Sequence, residues 1–161
     1  MGFQIHRLSG REGAKALIVG MGAGLMLAAL NVIALKSHMS PLPKPLGLAF
    51  SETLLGRPLP LPVGLLFHLA WVMIFSFAYV VLWRDRLTLR NALGLAGVLW
   101  LAAVLVFFPI VGWGLFGLNV SPALILPVTV SHLLFAAILW AFARLAFGPF
   151  PGRSSAQARA A

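Results

Sequence analysis

Four long apolar stretches constrain this chain more than any other feature. They run from about Ala14 to Leu35, Val63 to Trp83, Ala92 to Val111 and Pro122 to Phe147. Each is near the roughly 20 residues that cross a hydrocarbon core at about 1.5 Å per residue. Backbone polar groups in lipid have no water to bond, so spanning segments exist only as helices or closed barrels, and runs of this length predict helices. The expected fold class is therefore all-α, an integral membrane four-helix bundle. It forms a single domain over 1–147, with 148–161 as a flexible cytoplasmic tail. Only 9% of the residues are charged, against about a quarter in soluble domains, which leaves lipid as the solvent. The first stretch exceeds the roughly 7 to 15 residues of a signal-peptide core. No small-x-small cleavage site follows it in "LKSHMSPLP", so it is expected to be retained.

The net charge of +9 invites a nucleic-acid reading. The basic residues instead flank the apolar segments and form no stripe with stacking aromatics, so nucleic acid is not an expected partner. Arg7, Arg11 and Lys15 precede the first span; Arg84, Arg86 and Arg90 separate the second from the third; Arg144, Arg153 and Arg159 end or follow the fourth. The other side holds Lys36, Lys44 and Arg57. Because cytoplasmic flanks carry the excess of Lys and Arg, both termini are expected in the cytoplasm.

Between the first two spans, "PLGLAFSETLLG" sits inside proline-rich flanks. Leu46, Phe50, Leu54 and Leu55 have helical spacing, which predicts an interfacial helix over 45–56 with Ser51 and Glu52 toward water. The alternative is a long extracytoplasmic linker. Sliding the first span onto the third pairs Gly20 with Gly94 and Ala28-Ala29 with Ala102-Ala103; sliding the second onto the fourth pairs His68-Leu69 with His132-Leu133. These matches predict two helical hairpins related as a parallel repeat, unlike the inverted repeats of many transporters.

His68 and His132 are the leading site residues, because both should lie at similar depth. Two imidazoles at one level suit axial ligation of a haem b, a shared metal or a quinone contact. A hydrogen bond between helices is by itself a sufficient reason for them. Below them, His68, Trp71, Phe75, Tyr79 and Leu82 form one helical stripe, and His132, Phe135, Leu139 and Phe142 nearly form another. Gly20, Gly24 and Asn31 share a face on the first span, where small residues let a neighbouring backbone approach and an amide bond across the contact. Gly94 and Gly97 are expected to do the same on the third. In "FFPIVGWGLFGLNVSP", Pro109 lacks an amide hydrogen and Gly112, Gly114 and Gly117 allow unusual dihedrals, so the third helix should kink or end there. This outer turn is expected to cap the bundle, the alternative being one wall of a cavity.

The absences narrow the chemistry. Without cysteine there is no disulfide and no thiolate ligand. No HExxH helix, nucleophile-and-acid set or phosphate-binding glycine loop is present, so no catalytic residues are expected.

"HLAWVMIFSFAY", "PIVGWGLFG" and "HLLFAAILWAFA", following a hairpin that ends in a proline-rich loop, together resemble the YagU-like small bacterial membrane proteins and related families of unknown function. The resemblance covers about residues 16 to 147 and rests on His68 with Tyr79, the Pro109 to Gly117 turn, and His132. It implies a multi-pass fold in a bacterial inner membrane and carries no agreed activity. Relatives often hold an acidic residue in the first outer loop; here Glu52 is the first one available. Three functions are therefore expected, in order. The first is an accessory or structural subunit of a larger membrane complex or a homo-oligomer, with the lipid bilayer as its surroundings and no cofactor. The second is a haem-, metal- or quinone-binding redox module. The third is a small oligomeric transporter or channel.

Overall fold

A computed structural model of the chain describes residues 8–148. All but the first residue of the expected tail lies outside that range. The described residues form five main helices: α1 (Gly10–Lys36), α2 (Leu46–Leu55), α3 (Leu61–Trp83), α4 (Leu89–Ile110) and α5 (Ile125–Phe147). Four of these, all but α2, are long and apolar enough to cross a membrane, as in a multi-pass membrane protein. Large apolar side chains stand outward on them, among them Ile18 at 69% and Leu126 at 71% exposure. An outward apolar surface of this kind suits lipid and would be unstable in water.

Two of the helix starts are fixed by side chains that satisfy otherwise unpaired amides. Ser9 accepts from the Glu12 amide, and Glu12 accepts in return from the Ser9 amide, a reciprocal capping box that starts α1 ahead of its apolar run. Thr88 accepts from the Asn91 amide and opens α4. Gly56 ends α2 in the left-handed conformation, where a residue without Cβ is unstrained. Within α4, residues Ala103–Phe107 widen into one turn of π-helix directly ahead of Pro109. The proline ring has no N–H to donate and crowds the carbonyl four residues earlier; one inserted residue shifts the pairing and relieves both.

Two cores hold the helices. At the end where α1 begins and α5 finishes, Ala16, Val19, Ala23, Tyr79, Val80, Ala92, Ala96, Phe135 and Leu139 pack together. Fully buried Tyr79 donates its hydroxyl to the Thr88 carbonyl at 2.9 Å, tying α3 to the turn before α4. Arg84 pairs with Glu12 at 2.9 Å and lies over the Phe147 ring, joining α1, the end of α3 and the end of α5. At the other end, Ala49 of α2 meets Val104, Phe108, Trp113, Leu124 and Val128. The expected outer turn is this second core. Gly112, Gly114 and Gly117 all take positive φ, and Trp113 folds back onto Phe108 with ring centroids 5.1 Å apart. The turn thus packs over the adjoining ends of α4 and α5.

The helices do not close into a symmetric ring. α1 packs extensively on α3 and also on α5, and α5 packs on α4, whereas α3 and α4 scarcely touch. That seam is bridged at one end by α2, which leans on α3. α1 pairs with α3 and α4 with α5, but the glycines of the two pairs behave differently. A Cβ at Gly20 would lie 2.9 Å from the Met73 Cα, and one at Gly24 would lie 2.6 Å from a Leu69 methyl, so α1 and α3 are in contact through these positions. At Gly94 and Gly97 an added Cβ meets nothing within 4 Å. The expectation of glycine packing on the third span is corrected accordingly. Leu95 and Ala96 turn inward, and rotation about the helix carries Gly94 and Gly97 to the outside.

Candidate functional site

α2 forms close to its expected bounds, but with a different face inward. Ser51 is fully buried and donates to the Leu48 carbonyl at 2.9 Å, while Leu54 and Leu55 are exposed. The expected orientation of Ser51 toward water is therefore wrong. The cause is a backbone contact: a Cβ at Gly47 would lie 2.7 Å from the Gly64 carbonyl, and one at Gly64 would lie 2.5 Å from the Leu48 Cβ. Two glycines let α2 lie directly on the start of α3, and this fixes its rotation regardless of the leucine spacing. Glu52 does not stand free either. It pairs with Lys44 at 2.7 Å and accepts from the Leu59 amide at 3.2 Å, thereby clasping the segments on both sides of α2.

These two partners, the Lys44 ammonium first and the Leu59 amide next, hold the Glu52 carboxyl below its ordinary range. A carboxyl depressed by folding adds stability above its unfolded pKa and loses it as pH falls through its folded pKa. Seating of α2 should therefore be constant near neutral pH and weaken below about pH 4.3, the ordinary glutamate value, as Glu52 takes up a proton. Hydrogen exchange across 46–55 measures this. The expected result, with each rate referred to the intrinsic rate at its pH, is lower protection in acid for the wild type and little change in protection over the same range in Glu52→Gln.

Beneath α2 lies a half-open pocket of about 240 Å³, bordered by α1, α2, α3, α4 and α5. Both histidines line it. His132 Nδ1 is 2.8 Å from the Val128 carbonyl one turn earlier. His68 sits under Gly47. Its Nε2 is buried with no hydrogen-bond partner among the described residues. Asn31 faces the same space and accepts from the Ser131 hydroxyl at 2.7 Å, a bond between α1 and α5.

The rest of the lining is apolar and largely aromatic. Trp71 and Phe75 are stacked with centroids 5.5 Å apart, and Phe107 of α4 meets Trp71 edge-on at 5.5 Å. Phe107 belongs to the π-turn, whose widened geometry carries its ring across the α3–α4 seam. Trp71 remains 36% exposed in that seam, so the pocket has a side facing out of the bundle.

The structure thus brings His68, His132, Asn31, Trp71, Phe75 and Phe135 of the expected site residues to one place. Tyr79 belongs to the core at the opposite end, although it shares a helical stripe with His68. Gly97 borders a separate groove between α4 and α5, reached by the other side of His132. The Pro109 to Gly117 turn does not line the pocket. Three contributors escaped sequence reasoning. Ser131 was signalled by its place beside His132; Gly47 and Phe107 carried no signal separable from their apolar surroundings.

Neither family models, curated proteins nor solved structures yield a match to this chain, so its function rests on the site itself.

Proposed function

We propose that the protein is a membrane-embedded binding protein that holds a small, ring-bearing lipophile between His68 and His132 and performs no reaction of its own. The observation that carries this reading is the apolar, aromatic-lined pocket of about 240 Å³ that both histidines and Asn31 line. An apolar pocket with a few convergent polar groups is the usual form of a small-ligand site.

Size and chemistry limit the occupant. An apolar cavity of about 150 Å³ accepts benzene, so about 240 Å³ suits one substituted ring. Drug-sized ligands need about 300–1,000 Å³, and a haem b fits only if the helices move apart. Among the described residues there is no cluster of three or more potential metal ligands, whereas a closed structural zinc site uses about four. This favours a lone organic ring over the haem and metal versions of the redox reading. The accessory-subunit expectation survives in narrower form, as a binding subunit whose larger assembly would be retained on gentle extraction. The Arg-rich flanks support a cytoplasmic position for the end where α1 begins and α5 finishes, which puts the pocket in the outer half of a bacterial inner membrane.

The test uses full-length protein in lipid nanodiscs and two isosteric rings, tetramethylhydroquinone and tetramethylbenzoquinone. A ligand at 100 times its Kd stabilises by about 2.7 kcal/mol, so at least one of the two is expected to raise the unfolding midpoint by about 5 °C or more. Ala102→Trp, which fills the pocket from α4, should lose that shift. A protein that unfolds cooperatively and responds to neither compound refutes the pocket reading.

A further inference from the structure

We infer that the ligand is a ring-headed lipid, whose hydrocarbon chain leaves the pocket between α3 and α4 and joins the surrounding acyl chains. The inference rests on the binding reading above and adds the class of ligand and the side from which it enters. The spans pack in the order α3–α1–α5–α4, an arc whose middle contact is α1–α5 and whose open ends are α3 and α4. Polar lining gathers at the middle contact. There the Ser131 hydroxyl donates to Asn31 Oδ1 at 2.7 Å, joining α5 to α1, and His132 is the next residue of α5. The His132 ring is fixed in turn, with Nδ1 2.8 Å from the Val128 carbonyl. Oxygen substituents on a bound ring are matched by this back wall.

The opposite side is aromatic and apolar. Phe107 of α4 meets Phe50 of α2 and Trp71 of α3 edge-on, at 5.0 Å and 5.5 Å, so these rings close the seam next to α2. Farther from α2, the pocket is bounded by Phe75 of α3 and by Leu99 and Ala102 of α4, and every lining residue from α4 is apolar. His68 precedes Trp71 by one turn but lies under Gly47 of α2. Trp71, exposed in the seam, stands about 15 Å along α3 from Leu61. That is half the thickness of a hydrocarbon core of about 30 Å, so this mouth meets acyl chains and not water. With one substituted ring in place, a pocket of about 240 Å³ has no room for a long chain as well. Because α2 roofs the pocket and α1 and α5 pack together behind it, the chain passes between Phe75 and Ala102.

The test uses the wild-type protein in nanodiscs, anaerobically, and whichever tetramethyl compound binds, beside its analogue in which a decyl chain replaces one methyl. Affinities are referred to mole fraction in the lipid, so that the chain's own preference for the bilayer drops out. The two are expected to agree within about threefold, because lipid and the seam offer the chain similar apolar surroundings. A pocket with no lateral mouth would instead have to overpack around the chain, a loss of about tenfold to a hundredfold. A photoreactive diazirine near the ring end of the chain then maps its path. Label that excess tetramethyl compound displaces is expected on α3 at Trp71 to Phe75 and on α4 at Leu99 to Phe107. A loss greater than threefold on adding the chain, displaceable label elsewhere, or no displaceable label overturns the inference and leaves pocket binding standing. Failure of both tetramethyl compounds to bind overturns the inference together with the binding reading.

Discussion

Gly20→Ala is expected to lower the unfolding midpoint of the detergent-solubilised protein by several degrees, while Gly94→Ala leaves it unchanged or slightly raised. The two positions align in the sequence and differ in the structure. A Cβ at Gly20 falls 2.9 Å from the Met73 Cα and 3.0 Å from the Ser76 Cβ, so the contact is with backbone and a short side chain that cannot swing aside. The α1–α3 seam must separate, losing the dispersion contacts that hold helices together in the absence of a hydrophobic driving force between them. Overpacking of this kind costs about 1–3 kcal/mol, or roughly 2–4 °C per kcal/mol for a chain of this size. At Gly94 nothing lies within 4 Å, and alanine is the better helix former by up to about 1 kcal/mol. Circular dichroism melting of both variants checks the pair. Equal losses would mean that α4 packs through its glycines after all.

Gly64→Ala should act on α2 before it acts on the bundle. The new methyl carbon would lie 2.5 Å from the Leu48 Cβ and 2.6 Å from the Leu48 Cα, distances that no side-chain rotation can relieve. α2 must lift from α3, and with it the Gly47 contact over His68 and the Ala49 contact with the second core. The expected outcome is a loss of about 1–3 kcal/mol and faster hydrogen exchange concentrated in 46–55. The Tyr79 region, anchored at the other end by its bond to Thr88, should keep its protection. A uniform rise in exchange along the chain would show that α2 and the bundle unfold as one unit. Unchanged exchange in 46–55 would show that α2 does not rest on Gly64.

Much of the architecture was legible because lipid imposes simple rules. Length and hydropathy place the four spans to within a few residues, since a spanning segment must be helical and about 20 residues long. Pro109 and the glycines after it mark where α4 distorts and ends, because a missing N–H and positive φ are local properties. The short helix α2 was legible from its spacing. Which way it faces was not, because Leu54 and Leu55 resemble core residues and Ser51 resembles a surface one.

The candidate site was legible only as a set of suspects. His68, His132 and Asn31 stand out as polar groups in oily helices, which is reason enough to notice them. Their meeting around one pocket, with Ser131 bonded to Asn31 and Phe107 carried across a seam by a π-turn, depends on how the helices rotate and lean. By itself the sequence determined that four helices are long and apolar enough to span, about where they begin and end, and which residues are polar within them. The tertiary structure alone decided that Gly20 packs while Gly94 does not, that Ser51 is inside, and that α3 and α4 stand apart over a pocket shared by two histidines. The physical reason is that a helix apolar all round carries almost no amphipathic signal to say which face meets a neighbour and which meets lipid; that choice is made by close contacts between specific surfaces.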